Sequence, residues 1–157
     1  MQEKKSNILI ALCVMSFISL AYQAFSLSMS LSNGRPTDEQ IKQQKITLLE
    51  GQTPETLEAS RGMIEDAMQI TKVQQENFSL MLSLEGLSIL IGLIAVLLML
   101  QMRKIGFHLY IIYTLISIFY WTFLFSGIGL ATILIVLSIL FGILFVGLYY
   151  VQSKKMT

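Results

Sequence analysis

The sequence predicts an all-α integral membrane protein, a bundle of four transmembrane helices with a helical extramembrane hairpin inserted between the first two. Of the 157 residues, 54% are hydrophobic and 13% are charged, whereas about 25% of the residues in soluble domains are charged. The charges are concentrated in one polar tract, residues 33–79, which leaves long apolar runs on both sides of it. A run of about 20 apolar residues crosses the ~30 Å hydrocarbon core as a helix. The length of the chain predicts a single domain, residues 1–157.

Residues 8–32 are the first predicted span, TM1. They contain no charged residue and follow Lys4 and Lys5. A signal peptide also begins with basic residues and an apolar run, but this run is longer than a signal core and its alanines are three residues apart rather than two. We therefore predict a retained helix. Ala24 and Ser28 lie on a face of small residues that would let another helix approach closely, and they are candidate helix-packing residues.

Residues 33–79 are predicted to form a helical arm outside the membrane. Thr37 followed by Gln40 is typical of a capping box at a helix start. Gly51 is predicted to end the first arm helix, and Pro54 suits the first turn of the second. We expect the second arm helix to run straight into the next span. The apolar stripes are too thin for an independent core, so the arms should pack on each other, on the membrane surface or on a partner.

Three further spans follow at short intervals: TM2 at residues 80–102, TM3 at residues 106–125 and TM4 at residues 130–151. At 100° per residue, six polar or aromatic side chains of TM3 fall within about a third of the helix circumference. They are Tyr110, Tyr113, Thr114, Ser117, Tyr120 and Trp121. This face predicts either a packed interface or the lining of a cavity. In TM4, Ser138 and Gly142 form a small-xxx-small pair that is a second candidate for helix packing.

Glu85 is the one charged residue placed inside a predicted span. An ionisable side chain in a membrane helix is costly and is therefore a functional hypothesis. Its position near the outer end of TM2 favours a second interpretation, an interfacial carboxylate or a polar tie to a neighbouring helix. We predict that it bonds the Tyr120 hydroxyl or the Trp121 indole, which lie at a similar depth in TM3. Glu85, Tyr120 and Trp121 are thus a candidate polar intramembrane cluster.

The sequence predicts no catalytic set, metal centre or cofactor. Cys13 is the single cysteine, so the chain has neither an intramolecular disulfide nor a cysteine metal cluster. His108, the single histidine, lies beside basic residues near a span end and is interpreted as a hydrated side chain. Nucleotide-binding and hydrolase motifs are missing from the sequence. A net charge of +1 without a basic patch argues against a nucleic-acid partner.

Lys and Arg residues predict the orientation. With four spans, three short basic flanks fall on one side of the membrane and residues 33–79 fall on the other. Because Lys and Arg accumulate in short cytoplasmic loops, both termini should be cytoplasmic and residues 33–79 periplasmic or extracellular. One cysteine and compact loops favour a bacterial inner membrane.

The favoured function is a non-enzymatic accessory or assembly subunit of a membrane complex, surrounded by the lipid bilayer. Its protein partner, or a second copy of the chain, would bind the arm at residues 33–79. The alternative is a small oligomeric channel or transporter that uses Glu85 and the polar face of TM3. A membrane enzyme ranks third, because it needs convergent acid, base or metal groups that the sequence hardly offers.

Overall fold

The structure is a computed structural model that describes residues 7–50 and 54–154. Within these residues the chain is all-helical, without a strand. Its helices are α1 (Asn7–Asn33), α2 (Asp38–Leu49), α3 (Pro54–Glu76), α4 (Phe78–Leu100), α5 (Lys104–Phe125) and α6 (Gly129–Ser153). Four of them, α1, α4, α5 and α6, are long and apolar enough to cross a membrane. The predicted all-α class and the four long apolar helices are therefore confirmed.

The predicted capping box opens α2. The backbone N–H of Gln40 donates to Thr37 Oγ1 over 3.3 Å, and the Thr37 N–H donates to Gln40 Oε1 over 2.9 Å. These reciprocal bonds satisfy backbone donors that the first helical turn leaves unpaired. α3 begins at Pro54, as predicted. Gly51, predicted to end the first arm helix, lies outside the described residues.

α3 and α4 are separated at Asn77, so the prediction of one uninterrupted helix is wrong at this residue. Asn77 has φ −108° and ψ 21°, and its side-chain amide donates to the Val73 carbonyl over 3.1 Å. An asparagine amide that bonds the backbone locally competes with regular helix geometry. The interruption is confined to this residue, because the Asn77 N–H still donates to the Val73 carbonyl over 3.0 Å and the Met81 N–H to the Asn77 carbonyl over 2.9 Å. Before it, α3 packs against α5 and α6.

A three-residue turn between α4 and α5 makes these helices antiparallel neighbours. The Met102 N–H donates to the Met99 carbonyl over 2.9 Å and the Arg103 N–H donates to the Leu98 carbonyl over 3.0 Å. This is the Schellman pattern, in which the residue after the cap takes a left-handed conformation. Met102 has φ 63°, an unusual value for a residue with a side chain. The left-handed residue ends α4 and reverses the direction of the chain, so that α5 runs back alongside α4.

Two glycines bring α4 and α5 together. A Cβ on Gly106 would lie 2.6 Å from the Met99 nitrogen and 2.7 Å from the Ala95 oxygen, both backbone atoms that side-chain movement cannot relieve. A Cβ on Gly92 would lie 2.7 Å from Leu20 and 3.0 Å from Tyr113. Gly106 thus allows close backbone approach of α5 to α4, as glycine does between membrane helices, whereas Gly92 makes room for side chains of α1 and α5.

The four apolar helices share a packed core at one end. We call the end that holds the first residues of α1 and the last residues of α6 the terminal end, and the opposite end, next to α2 and α3, the hairpin end. All four helices contribute buried side chains to the terminal core. They are Leu9, Leu12, Cys13, Leu20, Ala95, Val96, Met99, Phe107, Tyr110 and Tyr149.

α3 takes part in a second, smaller core at the hairpin end. Phe125, Ile128 and Ala131 are buried there, and Ile70 and Val73 of α3 pack against them. α1 contributes no side chain to this cluster. α3 thus lies against the connection between α5 and α6.

Asp66 of α3 caps the start of α6. Its Oδ2 accepts a hydrogen bond of 2.8 Å from the backbone N–H of Leu130. A carboxylate at a helix N-terminus satisfies an otherwise unpaired donor and meets the positive end of the helix dipole. A Cβ on Gly129 would lie 2.9 Å from Asp66 Oδ2, so the glycine makes room for this contact.

α2 packs on α3, one of the three supports predicted for the arm. Gln75 Nε2 donates to Asp38 Oδ1 over 2.9 Å, and Thr71 Oγ1 donates to Gln44 Oε1 over 3.5 Å. We call residues 38–49 and 54–76 the arm. The arm is therefore held together by polar contacts and held on the hairpin end by the apolar cluster and Asp66.

Candidate functional site

A cavity of about 670 Å³ lies between α1, α5 and α6, with Glu85 of α4 also in its lining. At the terminal end α1 and α6 meet through the Ser16 and Tyr149 hydroxyls, 3.0 Å apart. The buried residues of α1 stop at Leu20. Beyond Leu20, α1 no longer fills the space beside α6, and the cavity occupies it.

The polar face predicted for TM3 forms one wall of the cavity. All six predicted residues of this face, now in α5, line the cavity. The sequence left a packed interface and a cavity lining as alternatives, and the face takes part in both: its side chains line the cavity, while Tyr110 is also buried in the terminal core. The helical period thus predicted six of the α5 side chains on this wall, and Ile118, which was not predicted for this face, lines the cavity as well.

Hydrogen bonds join the polar wall to the neighbouring helices. Gln23 Nε2 of α1 donates to the Tyr113 hydroxyl over 2.9 Å and to Ser19 Oγ over 3.3 Å. Ser88 of α4 and Ser117 of α5 are 2.8 Å apart, hydroxyl to hydroxyl. Neither Gln23 nor Ser88 was predicted as a site residue. Gln23 could have been identified from the sequence, because it is the only side-chain amide within predicted TM1. Polar side chains inside spans commonly form hydrogen bonds with neighbouring helices.

The wall formed by α6 is mainly apolar. Leu134, Leu137, Phe141 and Phe145 line it together with Ser138 and Gly142. Hydroxyl and amide groups of α1 and α5 therefore face aliphatic and aromatic groups of α6 across the same space. The cavity is amphiphilic in cross-section.

The structure brings Glu85, Tyr120 and Trp121 to the same cavity. The Tyr120 and Trp121 rings are neighbours, with centroids 5.9 Å apart. Glu85 is half-buried, and the hydrogen bonds among the described residues do not include the predicted bond to either ring. The lining residues include no Lys, Arg or His. The carboxylate thus borders the cavity without a basic side chain in its lining, and its role stays a prediction.

The four candidate helix-packing residues have different surroundings. Gly142 packs against α5, since a Cβ there would lie 2.9 Å from Thr114 Cγ2. Ser138 lines the cavity and is exposed within it. Ala24 and Ser28 are exposed on α1, on the side of the helix roughly opposite the cavity at 100° per residue. Packing of another helix on Ala24 and Ser28 stays a prediction.

The remaining polar candidates lie away from the cavity. His108 is exposed, and its Nδ1 is 3.1 Å from the Lys104 carbonyl oxygen. Cys13 is buried in the terminal core. Among residues 7–50 and 54–154, no group of three or more His, Cys, Asp or Glu side chains could hold a metal ion.

Comparison with known proteins does not assign the chain to a family. Its sequence matches no protein-family model, and neither a curated protein nor a solved structure shows significant similarity to it. The geometry of the arm and of the cavity is therefore the basis on which its function can be inferred.

Proposed function

We propose that this chain is a non-enzymatic interaction subunit of a membrane complex. In this proposal α1, α4, α5 and α6 cross a bacterial inner membrane as a four-helix bundle, and the arm stands outside the bilayer on the periplasmic side. Both termini are cytoplasmic, because the basic residues are densest in the short flanks at the terminal end. The arm is the element that meets the partner.

The supporting observation is an apolar surface on a firmly held arm. Asp66 and the apolar cluster fix α3 to the hairpin end, and α2 packs on α3 through polar contacts. On this support Ile46 is 49% exposed, Leu49 37% and Met63 65%. Lipid covers the exposed apolar side chains of membrane spans, but it does not cover side chains held above the hydrocarbon core. Exposed aliphatic groups on a fixed support outside the bilayer are typical of a protein interface.

Charge indicates the chemistry of the partner. Residues 33–79 contain five basic and eight acidic residues, which gives the arm region a net charge of −3. Interfaces combine an apolar centre with a polar rim, and complementary charge favours correct association. The partner is thus a membrane protein whose extramembrane surface presents apolar side chains flanked by Lys or Arg.

Affinity purification with mass spectrometry after mild detergent extraction tests the proposal. The unaltered chain is compared with Ile46→Asp, Leu49→Asp and the matched control Gln43→Asp, which adds the same charge at an exposed site on α2. One stoichiometric partner should be recovered with the unaltered chain and with the control, and lost from both aliphatic variants. A partner that binds all four chains equally, or no partner, would contradict the proposal.

Cysteine labelling tests the orientation separately. Single cysteines replace Ser6, Thr47 or Ser153 in a chain that carries Cys13→Ala, and intact cells are treated with a membrane-impermeant maleimide. Only the cysteine at Thr47 should react. Labelling at Ser6 or Ser153 with protection at Thr47 would reverse the orientation.

The cavity favours a second candidate, a small oligomeric channel or transporter. Its support is that Glu85 and six polar or aromatic α5 side chains line one space among four long apolar helices. This candidate predicts a homo-oligomer that conducts ions in liposomes. Glu85→Gln should then abolish flux while thermal stability is retained, whereas the accessory function predicts no flux from either chain.

A further inference from the structure

We propose that the cavity binds one amphiphile with a protonated amine head group, with the ammonium at Glu85 and the apolar chain along α6. The inference goes beyond the interaction function, because it concerns the spans and not the arm. It also predicts binding to the purified chain without any protein partner.

The Glu85 carboxylate selects the charge of the head group. Glu85 is half-buried, and the lining of the cavity contains no basic side chain. Among the described residues, no side chain or backbone group forms a hydrogen bond with the Glu85 carboxylate. A carboxylate at hydrocarbon depth is costly unless an opposite charge or hydrogen-bond donors compensate it. An ammonium group supplies both the charge and three donors. A carboxylate or phosphate head group would instead face like charge.

Aromatic rings beside Glu85 also suit a cation. Tyr120 and Trp121 both line this part of the cavity, and their ring centroids are 5.9 Å apart. Cations bind over the electron-rich faces of aromatic rings, and a carboxylate beside such rings strengthens the preference for an ammonium.

The α6 wall suits an unbranched apolar chain. Leu134 and Phe145 mark the ends of this wall, and their separation of eleven positions corresponds to about 16 Å along a helix. The cavity volume of about 670 Å³ falls in the range of small-molecule sites, roughly 300–1,000 Å³. The site is therefore elongated along the helix axes and apolar on one long side.

The two ends of the site match the direction of a lipid in a leaflet. Glu85 is seven residues from the start of α4 at Phe78, or about 10 Å along the helix. Phe145 lies much further from the hairpin end, in the second half of α6. The head group therefore lies towards the membrane surface and the chain towards the membrane centre.

The ligand can reach the site laterally from the bilayer. Beyond Leu20, α1 has no buried residue, and Tyr22 and Ser26 of the cavity lining are exposed. On the other side of the opening Leu137 and Phe141 of α6 are exposed as well. An amphiphile can enter between α1 and α6 without disruption of either core.

Trp121 makes the proposal directly measurable, because it is the only tryptophan of the chain and it lines the cavity. Dodecylamine, dodecanol and dodecanoic acid are titrated into the full-length protein in a neutral maltoside detergent, with Trp121 emission as the readout. The variants are Glu85→Gln and the matched control Glu76→Gln, which removes the same charge from an exposed position on α3.

Dodecylamine should give a saturable emission change with the unaltered chain and with Glu76→Gln. Its affinity should fall by about tenfold or more in Glu85→Gln, as expected when one member of a shielded charge pair is removed. Dodecanol should bind the three chains alike, and dodecanoic acid should give no saturable change. Equal dodecylamine affinity in Glu85→Gln and the unaltered chain would overturn the proposal.

Ser138→Phe is a second test of the proposal, because the larger side chain would fill the cavity from an exposed position on α6. Binding of both dodecylamine and dodecanol should be lost while the circular dichroism melting curve stays two-state. Retained dodecylamine binding in this variant would also overturn the proposal. Failure of the unaltered chain to recover any protein partner in the arm experiment, with amine binding intact, would contradict only the interaction function.

Discussion

The terminal and hairpin ends of the four apolar helices differ in how the space between them is filled. At the terminal end all four helices contribute to one core, and side chains such as Leu9, Met99 and Tyr149 are fully buried. At the hairpin end α1 makes no contribution to the buried cluster, and α3 packs there instead. The bundle therefore has a packed core at the terminal end and a smaller one beside α3 at the hairpin end, and the cavity opens between α1, α5 and α6.

Side-chain size explains this difference. The first half of α1 directs Leu9, Leu12 and Leu20 into the core. Its second half is rich in serine, and Ser26 lies in the cavity lining and is exposed. Small polar side chains fill little volume, so they cannot close the gap to α6. One helix thus contributes to a packed core at one end and to the lining of a cavity further along.

The largest expected effect tests the close packing at the terminal end. Gly106→Ala places a Cβ against backbone atoms of Met99 and Ala95, so it should lower the free energy of unfolding by roughly 2–3 kcal/mol. Thermal unfolding in detergent measures the change. Gly147→Ala is the matched control, because nothing lies within 4 Å of its Cβ, and it should instead stabilise the helix by about 0.5–1 kcal/mol. Equal effects of the two substitutions would contradict the close packing.

The next effect tests the cap at the hairpin end. Asp66→Ala removes the acceptor of the Leu130 N–H, and loss of such a cap costs about 1 kcal/mol. Hydrogen exchange should accelerate at the Leu130 amide while the terminal core stays protected. Glu65→Ala serves as control, because it breaks only the exposed ion pair with Arg61, which is worth at most about 0.5 kcal/mol. Unchanged exchange at Leu130 in Asp66→Ala would show that α3 does not hold α6.

A smaller effect is expected from the polar contact between α1 and α6. Tyr149→Phe removes the hydroxyl that bonds Ser16, and hydrogen bonds between membrane helices average about 0.6 kcal/mol. Tyr150→Phe is the control, because Tyr150 is exposed. Removal of its hydroxyl should leave the melting temperature unchanged. A melting temperature equally insensitive to both changes would mean that the Ser16 contact does not join the helices.

The smallest effect sharpens the contrast between the two halves. Ser138→Leu adds volume inside the cavity and should change the free energy of unfolding by no more than about 0.5 kcal/mol. Ala95→Leu adds volume to the terminal core, where Ala95 is fully buried, and should cost about 1–3 kcal/mol. Chemical unfolding of both variants provides the comparison, and similar losses would mean that the hairpin half is as tightly packed as the terminal half.

Local patterns were sufficient to predict the helices and one wall of the cavity. The Thr37–Gln40 capping box depends on residues three apart, and the polar face of α5 depends on the helical period. The predicted small-residue pair contains Gly142, whose close contact with α5 is observed. These features need no knowledge of how distant parts of the chain meet.

Other features depend on contacts between distant residues and were not predicted. Asp66 caps a helix that begins more than sixty residues later, and Gln23 forms a hydrogen bond with Tyr113, which lies 90 residues further along the chain. The break at Asn77 was also missed, because its cause is a side-chain bond to Val73 that competes with helix geometry. Periodicity identifies the faces of a helix, but it does not determine which helix a face contacts or where two helices separate.

Spin-label distance measurements in lipid nanodiscs test the difference between the two ends most directly. One pair of labels replaces Val14 and Val151 near the terminal end, and a second pair replaces Ser26 and Leu134 at the cavity, both in a Cys13→Ala chain. The account predicts a narrow distance distribution for the terminal pair and a longer, broader one for the cavity pair. Distributions that are equally short and narrow for both pairs would contradict an open hairpin half.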